Sequence, residues 1–239
     1  MVLHGLFGCG DNWLSFAREF SSRFRVLLLD ARNHGLSPHD PEMSYSAMAE
    51  DVREFMEEQG INSAHLLGHS LGSKTAMEFA LRHGERVRNL VVVDMAPRAY
   101  PPHHPQIIET LCGLDLGRYG DRQRIEDALA DAIPDKVVRR FLLKNLARDD
   151  AGRFRWKPGL AEIRGNYPRL NEGLAGGRLW SGACLFVRGE HSDYILEQDR
   201  AGILDLFPAA EIQTVAGAGH WVHADAPDRF QEVVKAFLR

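Results

Sequence analysis

No apolar run in this 239-residue chain approaches the ~20 residues that a membrane-spanning helix needs. Helical insertion into a bilayer is therefore not expected. Cysteine is scarce: Cys9, Cys112 and Cys184 are far apart, odd in number and without metal-ligand spacing. They suggest neither a disulfide framework nor a metal site, but small buried or partly buried thiols in a reducing compartment, the cytoplasm. Positive charge is in deficit, with 29 Lys and Arg against 33 Asp and Glu. That leaves no electrostatic footprint for nucleic acid, although local arginines such as Arg32, Arg153 and Arg155 could still hold an anionic group. The opening MVLHGLFGCG carries no basic segment ahead of its apolar residues, so no signal peptide is expected. Repeats at ~20–50-residue periods and low-complexity tracts are also missing. No metal or other cofactor is implied.

What is present is a globular composition, 44% hydrophobic and 26% charged, at a length that suits one α/β domain. Short aliphatic runs alternate with longer amphipathic stretches. The runs are Val26 to Leu29, Ala64 to Leu67, Leu90 to Val93, Cys184 to Val187 and Ile212 to Val215. Each is apolar on both faces, as a buried parallel strand must be. Helices are expected over Ser46 to Gln59, with Met48, Val52, Phe55 and Met56 on one face, and over Lys74 to Arg82 and Asp228 to Leu238. This alternation implies a mostly parallel sheet flanked by helices. It breaks between residues 98 and 180, where DRQRIEDALADA and DKVVRRFLLKNLA read as amphipathic helices. An insertion of this length is too long for a bare loop. It is expected to be a helical cap inserted into a core of residues 1–97 and 181–239. Only Met1 to Leu3 precede His4, so either the antiparallel edge strands that usually begin such a sheet are missing, or the chain starts later than the natural one.

One turn carries the chemistry. Gly68, Ser70 and Gly72 form G-x-S-x-G between a predicted strand and a predicted helix, the context that gives the motif meaning. The turn must hold Ser70 in a strained conformation, and small neighbours relieve the crowding between strand and helix. Its hydroxyl then sits at a helix N-terminus, where developing negative charge is favoured. GHSLGSKT also resembles a phosphate-binding loop, but that motif needs glycine before the lysine, and Ser73 stands there.

A serine hydroxyl needs a base. His220 follows the last predicted strand through the small-residue loop AGAG, at the sheet edge that carries Ser70. His223 is the nearest competitor, in the turn into the final helix. His69 is expected to be structural, and His103 and His104 solvated. A tetrahedral intermediate needs two backbone donors. Leu71 supplies one by following the nucleophile. Leu6, in the glycine-rich loop after the first strand, is expected to supply the other, with Phe7 as its neighbour. The base needs a carboxylate, and two follow strands at the right edge, Asp94 at the end of VVVD and Asp193 in RGEHSDY. Asp225 is expected to cap the last helix.

Taken together, HGLFG, DARNHGLS, GHSLG and GAGHWVH resemble the α/β-hydrolase superfamily in order and spacing. With VVVDMAP and GRFRWKPGL they resemble, more narrowly, small bacterial acyl-ester esterases of the YbfF-like branch. The resemblance implies a cofactor-free serine esterase or thioesterase for short to medium acyl chains, acting on a small-molecule substrate. In that branch the acid is the aspartate of the VVVDMAP-like strand, which implies Asp94 here; the wider superfamily usually carries it later, where this chain has Ser192, one residue before the alternative Asp193. Carbon–carbon bond hydrolases and perhydrolases use the same three residues, and a non-enzymatic receptor can retain the fold; these stay open at this point.

Overall fold

The computed structural model describes residues 1–238. Its strands are β1 (Val2–Leu3), β2 (Leu28–Leu29), β3 (Ala64–His69), β4 (Val87–Val93), β5 (Leu146–Arg148), β6 (Phe154–Trp156), β7 (Cys184–Gly189) and β8 (Ala210–Val215). Six of them form one parallel sheet in the order β2-β1-β3-β4-β7-β8, while β5 and β6 make a separate antiparallel hairpin. No antiparallel strand joins the six-stranded sheet among the described residues. The centre of that sheet is dry. Leu90 to Val93 of β4 and Cys184 to Val187 of β7 are 0% exposed, and burying one such aliphatic side chain contributes ~1.5–3 kcal/mol.

The helices are α1 (Leu14–Phe20), α2 (Tyr45–Glu58), α3 (Leu71–Arg82), α4 (Pro105–Gly113), α5 (Arg122–Ala128), α6 (Lys136–Leu143), α7 (Leu160–Leu170), α8 (Arg200–Leu206), α9 (Val222–Asp225) and α10 (Pro227–Phe237). Ser44 starts α2 by accepting the Ala47 N–H at 3.1 Å, which satisfies one of the free donors of the first turn. Met48, Val52 and Met56 then turn inward, while Phe55 is only half-buried. Every residue of α3 from Leu71 to Leu81 is buried, because this helix is covered by the sheet, by α2 and by the insertion between β4 and β7.

That insertion contains α4 to α7, as the amphipathic pattern implies, and also the β5–β6 hairpin, which the pattern did not imply. α6 stops at Leu143 and the chain turns at Asn145 into β5. Ile108, Leu111, Leu142, Leu143 and Ile163 from the insertion share one apolar cluster with Phe7, Tyr45, Met48 and Leu71 from the core. The insertion therefore sits on the loops at the carboxyl ends of β1 and β3. Among the described residues no helix is long and apolar enough to cross a membrane.

Register brings the important loops together. His69 pairs with Val93 and Val93 with Val187, while Gly189 pairs with Val215. Ser70 and Asp94 thus leave the sheet side by side, and the loop after β8 leaves two strands further along the same edge.

Candidate active site

Ser70 has φ +54° and ψ −116°, a conformation that non-glycine residues adopt only under strain from a tight surrounding structure. Its neighbours explain how the turn is held. A Cβ on Gly68 would lie 2.2 Å from the Gly72 carbonyl oxygen, and one on Gly72 would lie 2.2 Å from the Leu3 carbonyl oxygen. Either side chain would push strand, turn and helix apart. The Ser70 N–H donates to the Val93 carbonyl at 3.2 Å, which ties the turn to the adjacent strand end.

Asp94 also has positive φ, +51°, and its carboxylate is fully buried. A buried carboxylate needs donors, and three are supplied. The Gly189 N–H donates to Oδ1 at 3.0 Å, and His220 Nδ1 lies 2.7 Å from Oδ2. The Ser192 hydroxyl donates to Oδ2 as well. With Nδ1–H given to Asp94, the imidazole presents Nε2 as an acceptor. His220 and Ser70 line the same cleft.

The two candidate acids are thereby separated. Asp94 meets the imidazole, whereas Asp193 is exposed and takes part through its carbonyl oxygen, which accepts from Arg98 at 3.3 Å. Ser192, one residue before the second candidate acid, donates to the carboxylate of the first, Asp94. Asp225 does not cap α10, whose first turn follows Ala226. Its Oδ2 accepts the Gly219 N–H at 2.9 Å and so holds the loop just ahead of His220.

Aromatic rings pack around His220. Tyr194 stacks on its ring at 3.9 Å between centroids, a face that favours an imidazolium. His69 Nε2–H donates to the His220 carbonyl at 3.0 Å, and burial holds its pKa well below the usual histidine value. His104 is half-buried against the cleft rather than solvated, and burial lowers its pKa to about 4. His223 stacks on Trp13 at 4.1 Å and is lowered by burial to about 4. Proximity to His220 lowers all three further.

This arrangement has a cost in acid. His223 Nδ1 is buried without a partner, so protonating that ring is opposed in the fold and free in the unfolded chain. Its contribution to stability is present above the ordinary histidine pKa of ~6.5 and is lost as pH falls through about 4. His223→Phe keeps the stack on Trp13. Thermal melts at pH 7 and pH 4.5 are expected to show a smaller drop in Tm for His223→Phe than for the wild type. Equal drops would mean that His223 is not held neutral.

The loop after β1 stands over Ser70. Leu6 lines the cleft on both sides of Ser70. Among the described residues, neither the Leu6 N–H nor the Leu71 N–H has an acceptor. Phe7, the alternative to Leu6, is committed elsewhere: its N–H donates to His34 Nε2 at 3.1 Å, and its φ is +59°. The cleft next to Ser70 divides in two. One side, about 40 Å³, is lined by Tyr100, Tyr167, Tyr194 and Lys74. The other, about 120 Å³, is lined by Ile107, Val138, Phe141 and Trp221. Lys74, buried beneath the smaller side, donates to the Glu172 carbonyl and faces the rings of Tyr45 and Tyr100. Burial lowers its pKa to about 8. Among the insertion's other aromatics, Tyr119, Phe154 and Trp156 pack against the apolar cluster that the insertion shares with the core. Arg32 is paired with Asp51 at 2.6 Å and Arg153 with Asp149 at 2.8 Å, so neither is free for an anion, while Arg155 is exposed. No cluster of metal-ligating side chains occurs among the described residues.

This sheet order, strained serine turn and insertion over the strand ends define an α/β-hydrolase. A family model described as alpha/beta hydrolase fold matches residues 1–135, and the chain belongs to that family. It is 37% identical over its whole length to the mouse sn-1-specific diacylglycerol lipase ABHD11, covering 80% of that protein. It is 33% identical to Escherichia coli (strain K12) esterase YbfF, covering all of this chain and 92% of that protein. A solved structure named marine microorganism esterase is 41% identical and superposes with a TM-score of 0.96, over 99% of this chain and 93% of that one.

Proposed function

We propose that the chain cleaves esters and acyl thioesters of short to medium acyl chains through an acyl-enzyme on Ser70. Hydrolysis of carboxylic esters follows from relatives named esterase and lipase that align with 99% or more of the chain. The observation that carries the residue assignment is the 2.7 Å contact between His220 Nδ1 and Asp94. It fixes the tautomer whose Nε2 can take a proton, in the cleft that holds a strained serine.

Ser70 Oγ attacks the acyl carbon while its proton passes to His220 Nε2. The carbonyl oxygen becomes an oxyanion between the N–H groups of Leu6 and Leu71. Asp94 and the Tyr194 face stabilise the imidazolium. His220 then protonates the departing alcohol or thiol, and the acyl group stays on Ser70. Water, deprotonated by His220, repeats the attack and releases the acid.

Cleft size supports the chain-length reading. Both sides of the cleft are far smaller than the ~300–1,000 Å³ of sites for drug-sized ligands, and the larger side is walled by apolar residues. Steady-state hydrolysis of p-nitrophenyl esters from acetyl to palmitoyl tests this. kcat/KM is expected to peak between butyryl and octanoyl and to fall at least tenfold by palmitoyl. A maximum at palmitoyl would sink the chain-length assignment and leave the serine chemistry standing.

A further inference from the structure

We infer that Asn145, a buried residue of the cap, is a positioning residue for the oxyanion donor Leu6, acting through two peptide groups of the HGLFG loop. The inference rests on the proposed role of Leu6 in ester hydrolysis and adds to it a residue outside the core.

The connection is continuous. Asn145 is 3% exposed, and its Nδ2–H donates to the Phe7 carbonyl at 2.7 Å. That carbonyl belongs to the same peptide group as the Gly8 N–H, which donates to the Gly5 carbonyl at 2.9 Å. The Gly5 carbonyl in turn shares its peptide group with the Leu6 N–H. In a trans peptide the C=O and N–H point in opposite directions, so whatever fixes the Gly5 carbonyl aims the Leu6 N–H. Each bond in such a chain polarises the next, making the Leu6 N–H a better donor.

Two histidines brace the loop from the core side. His4 Nδ1–H donates to the same Gly5 carbonyl at 2.8 Å, with its Nε2 accepting the Ala31 N–H at 3.0 Å. His34 Nε2 accepts the Phe7 N–H at 3.1 Å, and its Nδ1–H donates to the Arg32 carbonyl at 3.1 Å. Burial lowers the pKa of both rings, so each keeps one donor and one acceptor. The core therefore fixes the Gly5 carbonyl and the Phe7 N–H, but among the described residues only the cap fixes the Phe7 carbonyl. Phe7 is held at positive φ, where a bulky side chain is disfavoured, so its peptide needs this restraint. The cap thus completes the oxyanion loop as well as covering the substrate.

Asn145→Ala and Asn145→Asp test this. The backbone of Asn145 is anchored independently, since its N–H donates to Leu142 and its carbonyl accepts from Lys157, so the fold should tolerate both changes. Losing a direct oxyanion donor costs ~10²–10³ in kcat. A residue acting through two peptides is expected to cost about tenfold in Asn145→Ala, with KM within twofold. Asn145→Asp should cost more, because a carboxylate oxygen facing the Phe7 carbonyl repels it. Affinity for a trifluoromethyl ketone, which forms an oxyanion on Ser70, should fall in parallel with kcat, while affinity for the product acid stays constant. A purely structural Asn145 would lower Tm without this kcat and KM split. The Leu6 amide resonance, recorded without ligand on 15N-labelled protein, should also move in Asn145→Ala. An unmoved Leu6 resonance, or an unchanged kcat with a turning-over wild type, overturns the inference. If the wild type cleaves no ester, the functional reading fails separately and the resonance alone decides the positioning.

Discussion

Ser70→Ala is expected to abolish ester turnover, lowering kcat by up to ~10⁶-fold, to the level that an intact oxyanion loop and substrate binding alone sustain. The loss follows from chemistry and not from unfolding, and the backbone of the same residue supplies the control. Ser70 sits at φ +54° and ψ −116°, where strain costs of order 1–3 kcal/mol for a residue with a Cβ. Alanine keeps that strain. Glycine releases it, at the expense of some unfolded-chain entropy. Ser70→Gly should therefore be as inactive as Ser70→Ala yet more stable by about 1 kcal/mol, which is ~2–4 °C in Tm for a chain of this size. Measuring p-nitrophenyl butyrate hydrolysis beside thermal melts separates the two effects. Residual turnover above a hundredth of wild type in both variants would rule Ser70 out as the nucleophile.

Much of this site was legible because its parts are local. The G-x-S-x-G turn lies between a strand and a helix, and the aliphatic runs that end at Leu67, Val93 and Val187 fix the edge from which the loops of the candidate site leave. The edge strand was overread: β2 covers Leu28–Leu29 rather than Val26 to Leu29, because its sole partner in the sheet is the two-residue β1. The start of the β5–β6 hairpin, Leu146 and Ala147, lies inside the expected helix DKVVRRFLLKNLA. The hairpin's turn is held by Asp149, whose carboxylate accepts the Ala151 and Arg153 N–H groups, and by Gly152 at φ +75°. Two acidic residues and a glycine between Leu146-Ala147-Arg148 and Phe154-Arg155-Trp156 were the available signal. Asn145, Ser192 and Tyr194 left no signal at all. Their roles depend on meeting Phe7, Asp94 and His220, far away in sequence, and a hydrogen-bonding side chain in a loop reads the same whether it faces water or a catalytic group. His104 was misjudged for the same reason: the proline-rich segment around it looks solvated, but Tyr167 comes back to it, accepting the His104 N–H at 2.8 Å.

Between the two carboxylates the expected contrast is large. Asp94→Asn should lower kcat by about 10⁴-fold, the loss seen when an imidazole is held in the wrong tautomer, whereas Asp193→Asn should stay within about twofold, as an exposed change usually does. The reason lies in the donors around Asp94. Gly189 N–H points at Oδ1 and can be satisfied only by an oxygen, so the asparagine must place its NH₂ at the Oδ2 position. That NH₂ then donates toward His220 Nδ1, which must accept, and the ring proton moves to Nε2. His220 loses its ability to take the Ser70 proton while every side chain keeps its place. Ser192 can rotate its hydroxyl to accept instead of donate, so the fold should survive and Tm should change little. Ser192→Asp introduces a carboxyl group next to the same oxygen position, and in the Asp94→Asn/Ser192→Asp double variant it should recover part of the lost activity by drawing the proton back to Nδ1. Comparing kcat for the four variants with wild type decides the acid. A severe loss in Asp193→Asn, with Asp94→Asn nearly unaffected, would mean that the exposed loop closes onto His220 during turnover and that the buried pair serves only to hold the imidazole in place.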